Sequence, residues 1–280
     1  MKCATSTLHE QLAAQSGIFM STPKEPNFFS NDEVYARGLD WYAGLFAAAD
    51  GPLCGESSTH YTKLPTYPKT LHRMRQHVPD AKLIYVMRHP IDRLISQYIH
   101  EWTQRVVNDS VDRAIATYPA LIDYSRYSMQ LRPFLDTYGP DRVLPVFFER
   151  MLASPQSQLE RVCRFIGYPG QPAWRHDLEA QNVSQQRLRH SPLRDAIVDA
   201  PVLRGIRRHL VPQRVRDYVK SWWRLSQRPQ LSDNQQAELR EIFDEDLTVL
   251  GRWLGLRLSC DSFKQVVTAA DDPLWTDAAA

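Results

Sequence analysis

Cysteine is scarce and scattered in this chain of 280 residues: Cys3, Cys54, Cys163 and Cys260 form no Cys-x-x-Cys pair and lack a histidine-rich neighbourhood. That spacing excludes a zinc ribbon and a disulfide framework and gives a catalytic thiol no evident partner. No metal is expected, and reduced thiols fit a cytoplasmic protein. Long apolar runs are missing too: nothing approaches the ~20 residues of a membrane span. No charged-then-apolar leader opens the chain, so the expectation is a soluble protein without a transmembrane segment. The net charge of +2 is too small to drive nucleic-acid binding, although a local basic cleft can still hold an anion. The phosphate-loop pattern Gly-x-x-x-x-Gly-Lys-Ser/Thr is absent, as are internal repeats and low-complexity linkers. What remains, 43% hydrophobic and 24% charged residues, is ordinary for a globular α/β chain with one large core.

The most informative stretch runs from Leu83 to Tyr98. Leu83 to Met87 is short, apolar and β-favouring. Pro90 suits a first helical turn, where its missing N–H costs nothing, and Leu94, Ile95, Tyr98, Ile99 and Trp102 then recur at helical spacing. Arg88 is thereby placed on a strand-to-helix turn at the carboxyl edge of a sheet. Open α/β folds bind ligands at that edge, and helix N-termini attract phosphate. Ser96 can add a hydroxyl from the helix, while an ordinary turn would instead pair Arg88 with Asp92. At the other end, Met1-Lys2-Cys3-Ala4-Thr5-Ser6-Thr7-Leu8 leads into a helical spacing of Leu8, Leu12 and Ala13. Small hydroxyl residues and a lysine at such a start offer N–H groups, hydroxyls and charge to an anion.

The Arg-x-Pro-x-x-Arg-x-x-Ser-x-Tyr spacing and the Lys2 turn together resemble the sulfotransferases that use 3′-phosphoadenosine 5′-phosphosulfate. The heparan sulfate N- and 3-O-sulfotransferases are the most similar branch, and this chain reads as a bacterial-type soluble member. The resemblance implies that Arg88 and Ser96 hold the donor's 3′-phosphate. It implies that Lys2 contacts the bridging oxygen and 5′-phosphate, cradled with Ala4, Thr5, Ser6 and Thr7; many members have glycine where Ala4 stands. In the family this loop follows a central first strand, so that strand is expected to be truncated here, leaving unpaired edges.

Lys24-Glu25-Pro26-Asn27-Phe28-Phe29 resembles the loop that carries the family's glutamate base. Glu25 is accordingly expected to deprotonate the acceptor, with Lys24 neutralising sulfuryl oxygens. Considered alone, the same pair could be a solvated ion pair beside a proline. Glu56-Ser57-Ser58-Thr59-His60-Tyr61 resembles a segment facing the acceptor, with Ser57 where the animal enzymes have lysine. Glu56, His60 and Tyr61 are the candidate acceptor contacts. Arg187 and Arg189 lie in a polar loop where family members close over the 3′-phosphate.

Elsewhere the pattern predicts strands over Gly17–Met20, up to Cys54 and over Val143–Phe148. Helices are expected over Tyr67–Gln76, Tyr124–Tyr138 and from Pro155 to a stop at Gly167. Pro145 argues for an edge position or a bulge. Ser232 and Gln235 form a capping box opening a last long helix. Arg204 to Arg228, basic and interleaved with Trp222 and Trp223, reads as a solvated helix face. The alternation predicts a P-loop-like three-layer α/β fold, a parallel sheet flanked by helices, as one domain over residues 1–260 with a tail over 261–280. The expected activity is sulfuryl transfer to a hydroxyl or amino group of a small-molecule or glycan acceptor, leaving 3′-phosphoadenosine 5′-phosphate. The rivals are a kinase-like phosphoryl transferase and a non-catalytic nucleotide-binding protein, with oligomeric state left open.

Overall fold

The computed structural model describes residues 1–178 and 229–279. In chain order its principal elements are α1 (Thr5–Ala13), β1 (Ile18–Met20), β2 (Leu53–Gly55), α2 (Thr70–His77) and β3 (Leu83–Met87). They continue with α3 (Pro90–Thr103), α4 (Tyr127–Tyr138), β4 (Val143–Phe147), α5 (Pro155–Ile166), α6 (Asp233–Leu254) and α7 (Phe263–Ala269). Every strand pairing is parallel. β1 pairs with β2, Ile18 opposite Leu53, and β3 pairs with β4, Leu83 opposite Val143 through Met87 opposite Phe147. The expected parallel sheet is thus present as two pairs, with no strand joining β2 to β3 among the described residues.

The two-residue period of a strand explains the layers. Leu83, Tyr85 and Met87 of β3, with Val143 and Phe147 of β4, face a large core built with α3, α4, α6 and α7. Ile84 and Val86, with Leu144 and Val146, face the other way. There Leu8 and Leu12 of α1, Leu159 and Val162 of α5, Ile18 of β1 and the opening residue Cys3 cover them. Both faces of the sheet are buried, as parallel strands require. Pro145 sits opposite Tyr85 on a strand whose other side is unpaired among the described residues. Its carbonyl accepts from Arg161 Nη1 at 2.7 Å. Gly167 ends α5 in the left-handed region, φ 84°, where glycine avoids a side-chain clash.

Two sequence expectations are corrected. The segment after Ser259 is not a tail: Phe263 and Val267 are completely buried, the indole N–H of Trp275 donates to the Val143 carbonyl, and Asp272 pairs with Arg150 at 2.8 Å. The capping box is half made. Ser232 Oγ accepts from Gln235 N at 3.3 Å, whereas the Gln235 side chain turns to Glu238. No described helix is long and apolar enough to cross a membrane. Arg187, Arg189 and the basic stretch 204–228 lie outside the described residues.

Candidate active site

The opening turn owes its shape to two left-handed residues, Lys2 at φ 66° and Ala4 at φ 61°. Ala4 is the residue before α1, and no side chain caps that helix. The first intrahelical bond is Leu8 N to Ala4 O at 3.1 Å. The first turn of the helix thereby points its N–H groups at the mouth of the turn, where an anion is favoured. The left-handed conformation at position 4 also explains why glycine suits this place: a side chain there is strained.

Arg88 leaves β3 and reaches this turn, its Nη1 donating to the Lys2 carbonyl at 3.4 Å. Its guanidinium lies 4.6 Å from the Phe148 ring, and its buried Nε has no hydrogen-bond partner among the described residues. The backbone around it is held from several sides. Arg88 N donates to Tyr127 Oη at 3.2 Å, and His89 N donates to Glu149 Oε1 at 2.9 Å. The His89 ring accepts from Asp92 N at 3.4 Å, which caps α3, so its other nitrogen carries the proton and donates to Cys260 O at 2.8 Å. Asp92, the alternative partner for Arg88, lies instead 2.6 Å from Lys264. Ser96, on α3, is 4% exposed. Arg93, in the same motif, is a core residue: Nε donates to Ser125 Oγ at 2.6 Å and Nη2 to Gln97 Oε1 at 2.7 Å.

Glu25 sits between Lys24 Nζ, 2.8 Å from Oε1, and Thr59 Oγ1, which donates to Oε2 at 2.9 Å. Burial pushes its carboxyl up, but the hydrogen bond and charge of Lys24, with Thr59, outweigh this and leave it below the usual carboxylate range. The loop is fastened to the Glu56 segment by Ser57 N to Lys24 O at 2.9 Å and Asn27 N to Ser58 Oγ at 2.8 Å. His9, which the sequence reading left unassigned, comes from α1 to bond Ser57 Oγ at 3.0 Å. It shares an electrostatic environment with Lys24 and Glu25. Only its helical position, beyond the Thr5–Thr7 turn, hinted at this.

The acceptor candidates are bound to one another more than the spacing suggested. Glu56 accepts from the Tyr61 hydroxyl, from Tyr42 Oη at 3.3 Å and from Ser58 N at 3.0 Å. Burial nevertheless raises its carboxyl above the ordinary value. His60 stacks on Tyr67, 4.7 Å between centroids, with a buried Nδ1 that has no partner among the described residues. Burial, then the charge of Lys63, lowers its pKa to about 4, so the ring is neutral.

Known proteins resemble part of this chain. A model described as "Sulfotransferase family" matches residues 33–172, a span that includes Glu56, His60, Tyr61, Arg88 and Ser96 but not the Lys2 turn or Glu25. Heparan sulfate glucosamine 3-O-sulfotransferase 6 of Mus musculus is 32% identical over 153 residues, 51% of this chain and 43% of that protein. The bifunctional heparan sulfate N-deacetylase/N-sulfotransferase 2 of Homo sapiens is 26% identical over 190 residues, 59% of this chain and 21% of that protein. The chain thus spans less than half the length of these curated relatives. The crystal structure of a sulfotransferase from Alicyclobacillus acidocaldarius superposes with a TM-score of 0.55 at 27% identity, covering 64% of this chain and 83% of that one. With half of its length matched by the family model, the chain belongs to the sulfotransferase family.

Proposed function

We propose that this protein moves the sulfuryl group of 3′-phosphoadenosine 5′-phosphosulfate to a hydroxyl or amino group of a carbohydrate acceptor. The observation that carries the reading is the contact between Arg88 and the Lys2 carbonyl at 3.4 Å. It joins two anion-holding elements at one place, while Lys264 occupies the carboxylate that would otherwise compete for Arg88. Arg88 Nε, without a partner among the described residues, and the start of α1, which no side chain caps, fit a doubly phosphorylated nucleotide. Arg88 and Ser96 take the 3′-phosphate; Lys2 and the turn of Ala4, Thr5, Ser6 and Thr7 take the 5′-phosphate.

The donor supplies a sulfur already bonded to a good leaving group. Glu25, held ionised by Lys24, accepts the proton of the acceptor as its oxygen or nitrogen attacks sulfur in line. The bond from sulfur to the bridging oxygen breaks, and the electron pair leaves with 3′-phosphoadenosine 5′-phosphate. As charge builds on the sulfuryl oxygens and the leaving phosphate, Lys24 and Lys2 stabilise it in a desolvated site. Release of Lys24 from Glu25 toward the sulfuryl group raises the basicity of Glu25 at the moment it is needed. Glu56 and Tyr61 shape the acceptor wall as a bonded pair, beside the neutral ring of His60. A cytoplasmic location fits the four free cysteines, three of them buried.

The test is calorimetry with 3′-phosphoadenosine 5′-phosphate, followed by transfer of label from the sulfated donor to pooled carbohydrate acceptors. Micromolar binding with labelled product supports the reading. Binding without transfer identifies a nucleotide-binding protein, and the absence of binding removes the proposal.

A further inference from the structure

Two side chains donate to the Glu25 carboxylate among the described residues, one at each oxygen: Lys24 Nζ to Oε1 at 2.8 Å and Thr59 Oγ1 to Oε2 at 2.9 Å. They differ in what each can do during transfer. Lys24 carries a charge that the charge growing on the sulfuryl oxygens draws away from Oε1. Thr59 is neutral, comes from the segment after β2, and has a side chain branched at Cβ that keeps one orientation once its backbone is fixed.

That backbone is fixed on both sides of Thr59. Ser57 N donates to Lys24 O at 2.9 Å and Asn27 N donates to Ser58 Oγ at 2.8 Å, so the two residues before Thr59 are fastened to the loop that carries Glu25. His9, from α1, bonds Ser57 Oγ at 3.0 Å. Thr59 itself opens a short 3₁₀ turn, Thr59–Thr62. Just beyond it the completely buried Gln130 grips Leu64 through both its backbone groups: Leu64 N donates to Gln130 Oε1, and Gln130 Nε2 donates to Leu64 O, each at 2.8 Å.

We infer that Thr59 is a positioning residue for the base: it holds Oε2 throughout the reaction, so that Oε1, uncovered as Lys24 turns to the sulfuryl group, is the oxygen that takes the acceptor's proton. This rests on the function proposed above. A donor kept at Oε2 lowers the basicity of that oxygen, while departure of the ammonium raises that of Oε1. An acceptor lone pair forms the new bond to sulfur, and the acceptor's proton passes to Oε1, leaving its bonding pair on the acceptor atom. The pair of the broken bond between sulfur and the bridging oxygen leaves with the nucleotide. Thr59 keeps its own proton, and the neutral acid still accepts its hydrogen bond at Oε2.

Thr59→Val, which keeps the branched shape and removes the hydroxyl, tests it, with Thr59→Ala as a second variant lacking the hydroxyl and Thr59→Ser as the conservative one. Thr59→Val should lower kcat at least ~10-fold, with the acceptor KM and the dissociation constant for 3′-phosphoadenosine 5′-phosphate within about threefold. Thr59→Ser should restore kcat to within about threefold of the parent. Added to Glu25→Gln, Thr59→Val should cost less than about threefold more, because a residue that acts through Glu25 then has nothing to act on. A kcat in Thr59→Val above about a tenth of the parent's overturns the inference. So does a Thr59→Ser as slow as Thr59→Val, a loss confined to acceptor KM, an undiminished further loss in the Glu25→Gln background, or failure of both variants lacking the hydroxyl to fold. A parent protein that neither binds the nucleotide nor transfers the group sinks the function itself; an active parent with an indifferent Thr59→Val sinks only this inference.

Discussion

Lys264 lies 2.6 Å from Asp92, so a residue of the last helix binds the first turn of the helix that follows Arg88. Cys260, immediately before the C-terminal segment, supplies the carbonyl that fixes the tautomer of His89. Removing residues 261–280 should therefore do more than trim an end. Loss of the completely buried Phe263 and Val267 is expected to cost several kcal/mol at each large side chain. Thermal unfolding should show a melting point lowered by more than 10 °C or no folded protein; an unchanged transition would contradict the packing described.

Ala4→Gly is expected to stabilise the protein. The left-handed backbone at φ 61° strains alanine by about 1 kcal/mol, and glycine's greater unfolded freedom offsets part of this. A rise of roughly 1–3 °C in melting temperature should appear, with nucleotide affinity held. A fall would mean that the turn does not adopt this conformation.

Glu25→Gln should lower kcat by at least ~100-fold while leaving the affinity for 3′-phosphoadenosine 5′-phosphate within about threefold. Arg88→Ala should mainly weaken that affinity. Because the Glu25 carboxyl lies below its ordinary 4.5, its charged form persists through neutrality. Its contribution to stability is likewise present above 4.5 and lost as pH falls through the lowered value. Near-parental turnover in Glu25→Gln would remove it from the proposed role.

His60 provides a separate pH signature. Its pKa in the fold is about 4 against 6.5 for a free histidine, so the unfolded chain binds a proton that the folded one refuses across that interval. Stability should fall as pH drops from about 6.5 towards 4. His60→Phe keeps the stack on Tyr67 and should flatten that part of the melting-temperature profile. An equally steep profile in the variant would show that the slope arises elsewhere.

The parts of the fold and of the candidate site that could be read in the sequence are those governed by local chemistry. β3 and α3 follow from an apolar run, a proline at the first helical position and a regular period, and the structure has them at Leu83–Met87 and Pro90–Thr103. The Lys2 turn and the Glu25 loop were visible through motif order. The second arginine of the motif was not interpretable, because burial of Arg93 on Ser125 and Gln97 depends on residues distant in the chain. Glu56 and Tyr61 were legible as candidates on one segment but not as partners of one another, since the bond that joins them needs the turn between them. α7 was missed because its seven residues carry too short a period to distinguish from a polar end, and only the hollow beside Phe147 and α3 makes it a core element.

The clamp of Gln130 on Leu64 has one further consequence. It ties the loop that follows the Glu56–Tyr61 segment to a helix of the main core. Surface positions of that loop can be varied freely, but its path cannot shift without unmaking the centre of the molecule.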